Sequence, residues 1–331
     1  MKLSISIVGL PNVGKSTLFK ILTKVPVNIA NYPFCTIDPN IGVTPVPDER
    51  LEKLSSMSKS KKKIPAIIEF YDIAGLVKGA SQGEGLGNAF LSHIKEVNAI
   101  LHVLRVFPSP DIIHVESTID PLRDREIILQ ELALHDLAIV EKRIPKLETE
   151  LKSGSKEAKL SLPILKSIQE KLSRGEGISE YADELIVKEL QLLRSRKLVY
   201  LLNGNEADIP ATLLDAIKAE GAGYVVADLE KATEIPELIR AAYKTLGLIT
   251  FFTTGEDETR GWTIKEGSKA PEASGAIHSD FQQKFIRAEV VAYDDFVKCG
   301  GWTQARGKGL LRVEGKEYVV KDGDILVVRH G

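Results

Sequence analysis

Chemistry concentrates first in Gly9-Leu10-Pro11-Asn12-Val13-Gly14-Lys15-Ser16. Two glycines with four residues between them, followed by a lysine and a hydroxyl, let backbone N–H groups converge on a polyphosphate. The apolar run Ser4 to Val8 precedes this loop, and a helix-like stretch with Leu18, Phe19 and Leu22 on one face follows it. A phosphate would therefore rest on a helix N-terminus. Asn12, Val13, Gly14, Lys15, Ser16 and Thr17 are the candidate phosphate contacts. Lys15 would pair with the β and γ phosphates and serve turnover, while the Ser16 hydroxyl would go to Mg²⁺. A second strand-like run, Ile67 to Tyr71, ends at Asp72-Ile73-Ala74-Gly75. A carboxylate at that point can hold Mg²⁺ through water, and a glycine three residues on lets its N–H approach the γ-phosphate. That spacing fits a nucleotide switch better than a small-molecule kinase.

These residues need a scaffold, and the apolar patterning supplies one. Up to about residue 120, β-rich runs (Ser4 to Val8, Ile67 to Tyr71, Ala99 to Val106) alternate with helical ones (Ser16 to Thr23, Ala89 to Val97), which predicts an α/β domain with a mainly parallel sheet. Residues 121–195 change texture to Leu-, Glu- and Lys-rich helix, broken at Ser153-Gly154-Ser155 and Gly175-Glu176-Gly177. The sheet pattern resumes at Lys197 to Leu202, so the helical segment is an insertion within the first domain. From about 248 the chain is β-rich again, with runs at Thr250 to Thr253, Trp262 to Ile264, Arg287 to Ala292, Glu317 to Val320 and Ile325 to Arg329. The expected division is 1–120 with 196–247, an inserted helical arm at 121–195, and a C-terminal module at 248–331.

The base would be read after the strand Lys197 to Leu202. A guanine reader needs Asn-Lys-x-Asp there, because one aspartate accepts from both N1–H and N2–H₂ of the base. Asn203-Gly204-Asn205-Glu206 starts at the strand's end, whereas Asn205-Glu206-Ala207-Asp208 keeps the aspartate but starts two residues late. Strand-end placement favours the first, with Glu206 in the reading position; a cluster of helix-capping residues is the bland alternative. The following loop, Ala227-Asp228-Leu229, would close the base pocket. Hydrolysis also needs a group that orients water. The residue after Gly75 is Leu76, which cannot do so, and His93, His102 and His114 are imidazole candidates.

Together with Asn31-Tyr32-Pro33-Phe34-Cys35-Thr36 and Pro39-Asn40-Ile41-Gly42, these motifs give a chain that resembles the YchF subfamily of Obg-like ATPases, TRAFAC-class P-loop NTPases. Further matching stretches are Asp72 to Gly87, Ile112 to Val115, Ile277 to Phe281 and Tyr318 to Gly323. The resemblance implies a G domain carrying a coiled-coil-like arm, followed by a TGS domain of β-grasp shape. It also implies ATP at Asn203 and the Gly204 backbone, Thr36 as the second Mg²⁺ ligand, and His114 as the group acting on water. In related P-loop switches an asparagine at the position of Asn12 holds K⁺ against the phosphates; a turn-forming asparagine is the alternative. The segment between the last two nucleotide motifs and the final helix of the G domain is shorter here than is usual in the family.

Composition narrows the remaining classes. Cys35 and Cys299 are far apart and lack a CxxC neighbour, so they read as free thiols in a reducing compartment. No apolar run approaches the ~18 residues of a membrane span, and no leader pattern precedes Leu3, so the expectation is a cytoplasmic protein with no membrane partner and a monomer. The net charge of −2 gives no global attraction to nucleic acid. Residues 141–174 hold nine Lys and Arg against five Glu, whereas 248–331 hold 12 basic and 13 acidic side chains. The arm is thus the better candidate for RNA contact, although a solvated helix face reads the same way. The expected function is a slow ATPase switch that couples nucleotide state to the ribosome or ribosomal RNA and protein. A nucleotide-sensing module with incidental hydrolysis and a true GTPase are the alternatives.

Overall fold

The computed structural model describes residues 4–24, 40–72, 97–107 and 118–331. Strands are numbered along the chain: β1 Ser4–Val8, β2 Ile41–Pro45, β3 Lys62–Ile64, β4 Ile67–Asp72, β5 Ala99–Arg105, β6 Lys197–Asn203, β7 Gly223–Ala227, β8 Leu248–Thr254, β9 Glu258–Lys265, β10 Phe285–Ala292, β11 Arg312–Glu314 and β12 Asp324–His330. They form two six-stranded sheets, ordered β2-β4-β1-β5-β6-β7 and β11-β10-β12-β8-β9-β3.

In the first sheet β1 lies between β4 and β5 and runs parallel to both, and β5, β6 and β7 continue the parallel order. Every residue of β1 and β5 is buried, which explains why both read as continuous apolar runs rather than alternating ones. The chain passes from β1 to one side at β4 and then to the other at β5. The loop leaving the carboxyl end of β1 therefore opens at the point where strand order reverses, where parallel sheets bind ligands.

Between β5 and β6 stand the helices Pro121–Lys152 and Lys156–Ser173 and the short helix Leu185–Leu190. Asp120 caps the first by accepting from Arg123 N–H, Pro121 pre-sets its first turn, and Ser155 caps the second. Val140, Ile144 and Leu147 pack on Ala158, Leu162, Leu165 and Ile168, a stripe at helical spacing on each partner. At the foot of this insertion Arg125 donates to Glu220 at 2.7 Å and to the Tyr200 hydroxyl at 3.1 Å, and Tyr200 donates to Glu220 at 2.6 Å. The buried Asp136 carboxylate accepts from the backbone N–H of Leu193 and Arg194. A buried charge is tolerable there because each is paired.

In the second sheet β8 and β12 run parallel side by side, with β9 antiparallel beyond β8, and β10 and β11 antiparallel beyond β12. Helix Ala270–Ile277 buries Ala270 and Ala273 in the same core as Phe251, Ile264, Val290 and Leu326. This is the β-grasp arrangement expected of the C-terminal module. Two details differ from the sequence reading. Glu317 to Val320 is not a strand: only Val319 bridges, to Lys269, because the Lys321 N–H and the Tyr318 hydroxyl both turn onto the Asp324 carboxylate. Residues 43–68, expected within the first domain, group with those from 242 onward. β3 pairs with β9, and helix Glu49–Ser58 places Leu51 and Leu54 in a core with Phe252, Val291, Phe296 and Ile325. Among the described residues no helix is long and apolar enough to cross a membrane.

Candidate functional site

The loop after β1 is shaped by its glycines. A Cβ on Gly9 would lie 2.5 Å from the Val103 carbonyl oxygen, and one on Gly14 would lie 2.6 Å from Asn203 Nδ2, so neither position accepts a side chain. Asn12 takes the left-handed backbone (φ 63°), a conformation asparagine tolerates well. Gly14 then opens helix Lys15–Leu22, which has no side-chain cap and no acidic residue in its first turn. Its N-terminal N–H groups and positive dipole end are thus left for an anion.

Lys15 is 8% exposed. Its ammonium donates to the carbonyls of Gly9 (2.9 Å) and Leu10 (2.7 Å), which hold it at the loop. Burial pulls its pKa down to about 8, against the opposing influence of Asp72. Asp72, at the end of β4 and in register with Ile7, is pushed up by burial and restrained by Lys15. Both groups are thus held partly out of water with the other as opposing charge, a setting in which a polyphosphate and its cation find complementary charge. Ser16 and Thr17 are exposed at the mouth.

At the base end, Asn203 is 4% exposed and fully engaged with loops. Its Nδ2 donates to the Val13 carbonyl (2.9 Å), and its Oδ1 accepts from Leu229 N–H (3.1 Å). Gly204 N–H goes to the Ala227 carbonyl, so Asn203 and Gly204 join the phosphate loop to the loop after β7. The side chain of Asn203 is a strap between these two loops. Asn205 to Asp208 are exposed; Glu206 opens a short 3₁₀ turn, and Asn205 Nδ2 donates to Asp208 at 3.4 Å. Beside Gly204 lie Val106 and Phe107, close enough that a Cβ on the glycine would come 2.7 Å from Val106 Cγ2.

The same arrangement is found in known proteins. A model described as "50S ribosome-binding GTPase" matches residues 4–143, and the YchF-GTPase_C model, described as a protein of unknown function, matches 248–331. Over its full length the chain is 45% identical to the ribosome-binding ATPase YchF of Bacillus subtilis, covering 99% of each protein. It is 41% identical to Obg-like ATPase 1 of rice, covering 98% of this chain and 91% of the relative. The solved structure of the Schizosaccharomyces pombe YchF GTPase superposes with a TM-score of 0.83 at 36% identity, covering 99% of this chain and 98% of that one. The chain belongs to the YchF family. The alignment to the Bacillus YchF runs over 364 positions against 331 residues here, so this chain is the shorter of the two.

Of the residues expected to act in a YchF-type site, Asn12, Val13, Gly14, Lys15, Ser16, Asp72, Asn203, Gly204, Ala227 and Leu229 come together around the carboxyl ends of β1, β4, β6 and β7, and Glu206 follows on the exposed turn. Thr36, Gly75, Leu76, His93 and His114 lie outside the described residues. His102 is described and is removed from the water-orienting candidates. It is fully buried in β5, its ring 5.3 Å from that of Tyr200, and neither ring nitrogen has a hydrogen-bond partner. Burial, with Arg125, Arg194 and Lys15 adding to it, lowers its pKa to about 3 and keeps it neutral. Sequence reasoning overlooked Arg105 and Phe107 at the end of β5; the available signal was an arginine inside an otherwise apolar run. Among the described residues no cluster of three His, Cys, Asp or Glu could hold a metal by itself. The donors that do stand at the loop, the Ser16 hydroxyl and the Asp72 carboxylate, are hard oxygens of the kind Mg²⁺ prefers when substrate phosphates and water complete its shell.

Proposed function

We propose that this YchF protein binds ATP, hydrolyses it slowly to ADP and phosphate, and uses the nucleotide state to control its binding to the ribosome. The observation that carries the phosphate part is the buried Lys15 ammonium held by the Gly9 and Leu10 carbonyls at an uncapped helix N-terminus. The ribosome part rests on likeness, since the bacterial relatives bear the name ribosome-binding ATPase. Ser16, with Thr36 from the first switch and Asp72 through water, would hold Mg²⁺; when bound, the cation neutralises charge on the β and γ phosphates. Lys15 pairs with the same phosphates, Thr17 and the N–H groups of Val13 and Gly14 cradle them, and Gly75 N–H meets the γ-phosphate. Asn12 would place K⁺ beside them. His114 orients or accepts from the attacking water.

The names of relatives divide between ATPase and GTPase. ATP is favoured by the register of the base loop: Glu206 stands three residues after the strap Asn203, where a guanine-reading enzyme has aspartate, while Asp208 is engaged by Asn205. A glutamate there is a methylene too long for the paired guanine contact. Co-sedimentation with ribosomes in the ATP-analogue, ADP and nucleotide-free states tests the switch. Binding that is the same in all three would leave only a nucleotide-sensing module. Equilibrium titration with ATP and GTP tests the base, and tighter GTP binding would return the site to the Asn205 to Asp208 register.

A further inference from the structure

Arg105 is the largest fully buried side chain among the described residues, with 0% of its surface exposed. Its neighbours along β5 are Ala99, Ile100, Leu101, His102, Val103 and Leu104, and a leucine would fill such a position without the cost of burying a cation. What the guanidinium touches accounts for its presence. Nε donates to the Phe107 carbonyl at 3.1 Å, and the guanidinium carbon lies 4.7 Å from the centre of the Phe107 ring. In the sheet Arg105 is paired with Asn203, and the next N–H, that of Val106, goes to the Asn203 carbonyl at 3.0 Å. Glu230 is a carboxylate whose charge acts on the guanidinium, and it follows Leu229, whose N–H is taken by Asn203. Arg105 therefore stands where three segments around the base end meet: its guanidinium lies on Phe107, its backbone pairs beside Asn203, and the charge of Glu230 acts on it.

Phe107 is the half-buried member of this group and stands against Gly204, a Cβ on which would come 3.2 Å from Phe107 Cβ. A half-buried aromatic ring beside the backbone that reads the base is a stacking platform for any nucleobase, because every base has a π face.

We propose that Arg105 is a positioning residue of the base subsite, fixing the Phe107 ring and the end of β5 so that the purine of a bound nucleotide stacks there. The assignment rests on the proposed placement of the base at Gly204 and Glu206. It differs from a merely structural role in a measurable way. A strap that only stabilised the sheet would affect every ligand of the loop alike. A residue that sets the stacking ring affects nucleotides and spares inorganic tripolyphosphate, which has phosphates and no base.

The test is equilibrium binding of ATP, GTP and tripolyphosphate, each with Mg²⁺, to the full chain and to Arg105→Met, Arg105→Lys, Phe107→Ala and Arg105→Met/Phe107→Ala, each accompanied by a thermal melt. Phe107→Ala should weaken ATP by ~10- to 100-fold, the usual worth of base stacking on an aromatic ring. Arg105→Met should weaken ATP and GTP by ~10-fold, with tripolyphosphate unchanged. Arg105→Lys keeps a cation near the ring and should fall between wild type and Arg105→Met. The double variant should be little worse than Phe107→Ala, because Arg105 acts through that ring. Equal loss of ATP and tripolyphosphate in Arg105→Met and Arg105→Lys, or additive losses in the double variant, would overturn the assignment of Arg105 alone. A wild-type protein that binds ATP no better than tripolyphosphate would overturn the base subsite, and Arg105 with it.

Discussion

The two ends of the nucleotide site are built on opposite electrostatic plans. The phosphate end is organised around a buried, charged lysine and a helix N-terminus without a side-chain cap. The base end is organised around a buried neutral amide, Asn203, with the Glu206 carboxylate out in solvent. Taking an ammonium out of water is costly even where carbonyls hold it, so ligand charge at the phosphate end offsets a standing penalty and should dominate affinity. An exposed carboxylate is already solvated, so the base end contributes less energy and acts mainly on the choice between bases.

The largest expected break falls on the phosphate end. Lys15→Ala removes the buried side-chain cation of the loop, and ATP affinity measured by titration should drop ~10²-fold or more, with the melt little changed. His114→Ala should leave ATP affinity near wild type and lower single-turnover hydrolysis by ~10²-fold, the usual worth of a positioned acid-base group. An unchanged rate would move the task to His93 or to the ribosomal partner.

Asn203→Ala attacks the junction between the two ends. It leaves the Val13 carbonyl and the Leu229 N–H buried without partners, at about 1–3 kcal/mol for each orphaned group. Chemical denaturation should show that loss, and ATP affinity should fall because both loops loosen together. Loss of stability with full ATP affinity would mean that the ends work independently.

A pH titration sharpens the contrast without mutation. Burial lowers the Lys15 pKa to about 8 in the free protein, well below its unfolded value of 10.5. Bound phosphate favours the charged form, so ATP affinity should be flat with respect to Lys15 below pH 8. Above it, affinity should fall by up to ~10-fold per pH unit. Glu206→Asp is the smallest expected change: ATP over GTP preference shifts by less than ~10-fold, with stability unaltered.

How much of this was legible beforehand depended on what each residue type can mean alone. The phosphate loop was readable because its geometry tolerates only glycine at two fixed positions, and the spacing carries that requirement into the sequence. The helical insertion was readable from its breaks, since Ser153 to Ser155 and the Gly175 to Gly177 stretch both interrupt a 3.6-residue period. Residues 43–68 were not assigned to the second unit, because β3 is three residues long, two of them exposed lysines, and only Ile64 is buried. Glu317 to Val320 had a strand's composition, and hydrogen bonds to Asp324 across a turn overrode it. At the base end an asparagine closing a strand reads equally well as reader or strap, and only the positions of Val13 and Leu229 separate the two. Arg105 did break an apolar run, but a lone arginine at a strand's last position reads equally well as a solvated strand end.

The grouping of residues 43–68 with the C-terminal strands has a consequence for how the protein is made. Ser58 meets Thr254 across 196 positions of chain, and Leu51 and Leu54 of the same helix find their core only with Phe252, Val291 and Ile325. During synthesis at ~5–20 residues per second, that helix and strand β3 emerge roughly 10–40 s before their partners exist. For that interval two leucines and an unpaired strand wait for their partners, and the second unit can close only once β12 has emerged.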